Sequence, residues 1–128
     1  MIDAADAVLR HAHAINACDL VVYRTTMVYP FTYQNYDGVA LTIADALECG
    51  DQVPPPWEII RRTHPSWSHS EFEPLEELVQ SATSGVFLVK FKRVDTNGEL
   101  SELFKAVWIA VRKDGVWGVQ FRHNLGCA

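Results

Sequence analysis

The 128-residue, 14.4 kDa chain is 48% hydrophobic and 21% charged, which suits one globular domain over residues 1–128 and argues against disorder, a collagen-like repeat or a disulfide-rich miniprotein. A formal charge of −5, with its basic side chains dispersed, argues against general nucleic-acid binding. No apolar run reaches the ~18–20 residues of a membrane span, and the acidic opening Met1-Ile2-Asp3-Ala4-Ala5-Asp6 is unlike a basic signal-peptide start, so a cytoplasmic location is expected.

In chain order, Ala4, Val8, His11, Ile15, Cys18 and Val22 recur at spacings of four and three, one face of an α-helix. Asp6 and Arg10 are placed for an i,i+4 pair. Asn16-Ala17-Cys18-Asp19 interrupts this pattern, and Asp19 can cap a second short helix to about Thr25. Val28–Tyr33 reads as a strand, Asn35-Tyr36-Asp37-Gly38 as a turn, and Val39–Ile43 as the returning strand. Ala44–Glu48 is expected to form a helical turn ended by Gly50. Pro54-Pro55-Pro56 is a stiff approach to a short helix over Trp57–Arg62, stopped by Pro65.

The period then changes to two. Phe72–Ala82 is expected as a strand with an irregularity at Glu76-Glu77. Val86–Arg93, Leu103–Arg112 and Val116–Asn124 are strands separated by Asp95-Thr96-Asn97-Gly98 and Lys113-Asp114-Gly115 turns. Helices first and an antiparallel meander last make an α+β fold, a curved sheet with helices over one face.

This layout resembles the nuclear transport factor two-like superfamily, especially its SnoaL-like (polyketide cyclase-like) branch. The resemblance covers nearly the whole chain. It is carried by Trp67-Ser68-His69-Ser70 with Leu75-Glu76-Glu77-Leu78-Val79-Gln80, then Lys92-Arg93-Val94-Asp95-Thr96-Asn97-Gly98, and finally Lys113-Asp114-Gly115-Val116-Trp117-Gly118-Val119-Gln120. The acidic Asp19 at the start of a second helix belongs to the same pattern. The resemblance implies a cystatin-like cone: a strongly curved mixed or antiparallel sheet, its concave face covered by N-terminal helices, commonly dimerising through the outer face of the sheet. Members of the superfamily include isomerases, dehydratases, cyclases and transport adaptors, so the fold alone does not assign an activity.

Chemistry inside a cone needs polar side chains pointing inward among apolar ones. Strict alternation in the last strand would put Trp117, Val119, Phe121 and His123 on the core face and Gly118, Gln120 and Arg122 outside. In the strand Val86–Arg93, Phe87, Val89 and Phe91 share one face. Leu103–Arg112 is apolar on both faces, Val107, Ile109 and Val111 against Ala106, Trp108 and Ala110, which points to a homodimer through the outer surface. None of the three meander strands holds an Asp or Glu. The strand-borne carboxylate base of the superfamily's isomerases and cyclases therefore has no counterpart there. Asp37 reads as a turn residue and Asp19 as a cap.

Proton transfer near neutrality then falls to histidine, with His69 and His123 the catalytic candidates. Tyr33, Trp67, His11, Phe87, Trp117 and Phe121 are the expected pocket residues; the alternative for His11 is a satisfied core histidine. His13 is expected at the surface and His64 in a turn. Cys18, Cys49 and Cys127 form neither a disulfide framework nor a zinc signature. No histidine spacing suggests a metal and no glycine-rich phosphate loop is present, so no cofactor is expected. The reading is a cone that binds a small apolar metabolite and could catalyse cofactor-independent isomerase, dehydratase or cyclase chemistry. The alternative is a non-catalytic dimeric module that binds a ligand or a protein.

Overall fold

The computed structural model describes residues 2–127. Asp3 and Asp6 start the first helix, α1 (Ala4–Ala17), with a reciprocal capping box: the Asp6 N–H donates to Asp3 Oδ1 at 2.9 Å and the Asp3 N–H to Asp6 Oδ2 at 3.2 Å. Asp6 thus serves the helix end, and no Asp6–Arg10 ion pair forms among the described residues. Cys18 ends α1 in the left-handed conformation (φ 52°), and Asp19 caps α2 (Leu20–Thr25) by accepting the Val22 N–H at 3.2 Å. The break expected at Asn16–Asp19 therefore falls at Cys18.

Strands β1 (Met27–Asn35) and β2 (Ala40–Ile43) form the early hairpin. The helical turn expected over 44–48 is replaced by turns, in which Asp45 Oδ1 accepts the Glu48 N–H at 3.0 Å; a side chain that ties its own backbone in this way competes with helix. The third helix, α3, spans Pro56–Thr63 with proline in its first turn, where a missing N–H costs nothing. The strand expected over Phe72–Ala82 is two strands, β3 (Trp67–Phe72) and β4 (Glu76–Gln80). Pro74 in the gap between them has no N–H for a ladder. Then come the long strands β5 (Ser84–Asp95), β6 (Leu100–Lys113) and β7 (Val116–Gly126).

The seven strands form one mixed sheet in the order β2-β1-β7-β6-β5-β3, with β4 also paired to β5; only β1 and β7 run parallel. Register shifts interrupt most of these pairings, and such bulges add twist and bend. The sheet curls around α1, which lies on its concave face against β3, β5, β6 and β7. The approach is close: a Cβ on Gly85 would stand 2.9 Å from the Ala4 Cβ, so α1 seats where β5 has no side chain. At its other end the Asn16 amide pairs with the backbone of Ser70, donating to its carbonyl and accepting its N–H, both at 2.8 Å. That is the pattern a neighbouring strand would make. Val8, Ile15, Tyr23, Phe31, Trp67, Phe87, Val89 and Val119 are buried in the resulting core. No helix among the described residues is long and apolar enough to cross a membrane.

Candidate functional site

Because α1 stops at Ala17 and the chain turns back into α2, one end of the cone is left unfilled. A cavity of about 530 Å³ opens there. Phe31, Tyr33, Phe72, Phe91, Phe104 and Trp108 form its walls, and α3 contributes Ile59, Ile60, Arg62 and Thr63 to the rim opposite Asp37 and Val39 of the β1–β2 hairpin. The aromatic wall is continuous: Phe91 stacks on Phe104 (centroids 5.4 Å, 8° between planes) and meets Phe72 at 5.5 Å, which in turn meets Trp108 edge-on at 5.9 Å.

The polar groups in this wall come from the last strands. Ile109 pairs with Phe121 and Ala110 with Val119, leaving Gln120 unmatched. This bulge inserts one residue and reverses the alternation beyond it. Val119 points inward as expected, but Phe121 and His123 turn to the convex face, and Arg122 and Asn124 enter the cavity. Arg93 reaches the same cavity by unbroken alternation from Phe87, Val89 and Phe91.

Arg122 is only 8% exposed. Its guanidinium sits 5.3 Å from the ring centres of Phe31 and Tyr33, 5.8 Å from Trp108 and 5.9 Å from Tyr23, within cation–π reach of all four. Its Nη2 donates to the Tyr23 hydroxyl at 3.2 Å, while its Nε is buried with no partner. The Arg93 guanidinium lies 4.2 Å over Phe104, and its Nε is also buried and unpartnered. Burial pulls the Arg93 pKa down, but a guanidinium remains charged at neutral pH. Neither arginine pairs with a carboxylate among the described residues. Among the described residues, Asp37 is the one carboxylate lining the cavity. It is fully exposed at the mouth, and the Val39 N–H, with help from the Asn35 side chain, holds it below the usual range.

Behind the wall, His11 is completely buried. The Thr26 hydroxyl donates to the Tyr23 carbonyl at 2.8 Å, so its oxygen accepts from His11 Nδ1–H, also at 2.8 Å. The Nε2 lone pair is left buried and unpartnered. Burial, and then the Arg122 charge, hold His11 neutral with a pKa well below the ordinary value. Tyr23, 5.1 Å away ring to ring, has its pKa pushed up to about 12, chiefly by burial.

Of the residues expected in a pocket, Tyr33 lines the cavity, donating from its hydroxyl to Asn35 Oδ1 at 3.2 Å. His11 packs one layer behind. Phe87 is buried beneath α1, and Trp67 is buried with its Nε1–H on Ser70 Oγ at 3.1 Å; neither lines the cavity. Trp117 lies before the bulge, half-buried against the core, and Phe121 is on the convex side. The inward placement that alternation gives His123 is corrected by register, and neither catalytic candidate, His69 or His123, lines the cavity. His123 donates through Nδ1–H to Gln34 Oε1 at 3.1 Å across the outer face. His69 stands opposite Val94 past a shift in β3, its Nδ1 3.1 Å from Ser68 Oγ. They are not brought together. His13 is exposed and His64 is the residue that ends α3. Among the described residues no cluster of three or more His, Cys, Asp or Glu side chains could hold a metal ion.

No family model matches the sequence, and no curated protein matches it. Solved structures do. An uncharacterised protein with a cystatin-like fold from Caulobacter vibrioides superposes with a TM-score of 0.69 at 17% identity, covering 98% of this chain and 89% of that one. A nuclear transport factor two-like protein of unknown function in nutrient uptake from Rhodospirillum rubrum gives 0.68 at 15% identity, covering 99% and 100%. A ketosteroid isomerase-like protein from Erwinia carotovora gives 0.66 at 12% identity, covering 94% and 91%. At these identities the likeness shows the fold, which is the cystatin-like, nuclear transport factor two-like cone.

Proposed function

We propose that this chain is a small-molecule-binding protein of the SnoaL-like branch, taking a mostly apolar ligand into the open end of its cone. The observation that carries this reading is the cavity itself. At about 530 Å³ it falls in the size range of ligand pockets, and apolar walls with a few convergent polar groups are what such pockets are made of. The polar groups at hand are mainly hydrogen-bond donors: the Tyr23 and Tyr33 hydroxyls, the Asn35 and Asn124 amides and the two arginines. They suit holding and polarising a ligand that bears negative charge. Isomerase-type proton abstraction needs a base of raised pKa, and Asp37, exposed and held low, is a weak one.

The neutral dye 1-aminoanthracene tests the reading, since its fluorescence rises in apolar cavities. It should bind the wild-type chain and bind at least ten-fold more weakly to Val39→Trp, which places an indole at the mouth on a residue already half exposed. Failure to bind, or equal binding by the variant, rejects the cavity as the site. We also propose that two copies pair through the convex face, where Val86, Leu88, Val107, Ile109, Val111 and Phe121 stand half-exposed on three adjacent strands. Sedimentation velocity should show a dimer at micromolar concentration, and a monomer would remove that part.

A further inference from the structure

We infer that the ligand of the cavity carries a carboxylate, held by the guanidinium of Arg122 with Arg93 as its second cationic contact. This rests on the cavity being a ligand site, and it adds the charge class. Among the described residues four charged side chains line the cavity, Arg62, Arg93 and Arg122 against Asp37, a basic lining in a chain whose net charge is −5. Arg62 and Asp37 are exposed at the rim and screened by water, which leaves Arg122 and Arg93 as the interior charge.

Arg122 is the decisive group. A guanidinium offers several N–H donors in a planar fork, and here the protein engages it through one hydrogen bond, to the Tyr23 hydroxyl. Its Nε has no partner. A charge this deep is normally paired, because desolvation without compensation is costly. Four aromatic faces compensate in part, yet they satisfy no N–H. Arg93 repeats the arrangement with Phe104 beneath it and an unpartnered Nε. Two donor-rich cations in one aromatic chamber, neither neutralised by a carboxylate among the described residues, are complementary to a planar oxyanion on an apolar body. Bidentate recognition of carboxylate is the geometry guanidinium favours. A monoanion suits this chamber better than a phosphate dianion, since just one of the two cations is buried and the other is half-buried, and each added charge must also lose its water.

The experiment is competition for 1-aminoanthracene by matched pairs: 2-naphthoate, biphenyl-4-carboxylate and cyclohexanecarboxylate, each beside its primary amide. At least one carboxylate should displace the dye at a concentration ten-fold or more below that of its amide. Arg122→Met should abolish this preference while the dye still binds, and Arg93→Met should reduce it with the buried arginine intact. Equal displacement by acids and amides overturns the inference and leaves the cavity reading standing. A preference that survives unchanged in both variants also overturns it, because the anion would then be held elsewhere. If the dye binds to none of these proteins, the cavity reading fails and this inference fails with it.

Discussion

The two halves of the concave face are built on the same strands and differ in what they do with their inward positions. Under α1 those positions are Gly85, Phe87 and Ala110, and the helix answers with Ala4, Ala7 and Val8. The surfaces close on each other and no polar side chain is wanted. Beyond Cys18 the line of α1 is not continued, because the chain turns back into α2, and β5 to β7 instead present Phe91, Arg93, Phe104, Arg122 and Asn124 to the cavity. The packed half is organised for stability. The hollow half keeps two cations that no carboxylate among the described residues pairs with, a poor arrangement for stability and a good one for binding. Sites that break the rules of core construction are where function is to be sought.

Three measurements would break or sharpen this contrast. Phe87→Ala, in the packed half, should cost about 3–5 kcal/mol in urea denaturation, while Phe91→Ala, on the cavity wall, should cost less than half as much because its far side already faces open space. Equal losses would mean that the two halves are energetically alike. Arg122→Met should move the other way. Replacing an unpaired buried charge by an apolar side chain of similar length is expected to stabilise the ligand-free protein by about 1–3 kcal/mol, and a loss of stability would show that the guanidinium supports the fold.

The smallest effect concerns His11, at the boundary between the halves. Its pKa is depressed in the fold, by burial and then by Arg122, and near 6.5 in the unfolded chain. The unfolded state therefore takes up a proton first as the pH falls. The contribution is complete above pH ~6.5 and is lost below it at up to about 1.4 kcal/mol per pH unit, until the folded pKa is reached. His11→Gln, which removes the titration, should flatten the stability profile between pH 6.5 and 5 relative to the wild type. An unchanged slope would place the acid sensitivity elsewhere.

Much of the fold is legible before any coordinates, because periodicity and caps are local. The α1 stripe, the break before Asp19 and the three hairpin-linked strands all follow from residues that interact with near neighbours. β3 was hidden because Ser68-His69-Ser70-Glu71 has little strand character, and its place depends on pairing with β5. In the site, Arg93 was within reach: extending the alternation of Phe87, Val89 and Phe91 by two residues puts it on the inner face. Arg122 was not. The Val119–Gln120–Phe121 bulge carries no glycine or proline to announce it, and one unmatched residue was enough to exchange Arg122 for His123. The same slip is why strict alternation puts His123 and Phe121 on the inner face.

That bulge also sets the size of the chamber. β7 has two residues, Gln120 and Leu125, with no counterpart on β6. Each adds ~3.3 Å of contour to one strand and nothing to its neighbour. Two bonded ribbons of unequal length must bend, as a bimetallic strip does when one layer expands. The room available to a ligand is thus encoded partly as a count of residues along β7, whatever their type, and shortening that strand by one should flatten the wall without changing a single side chain that faces the cavity.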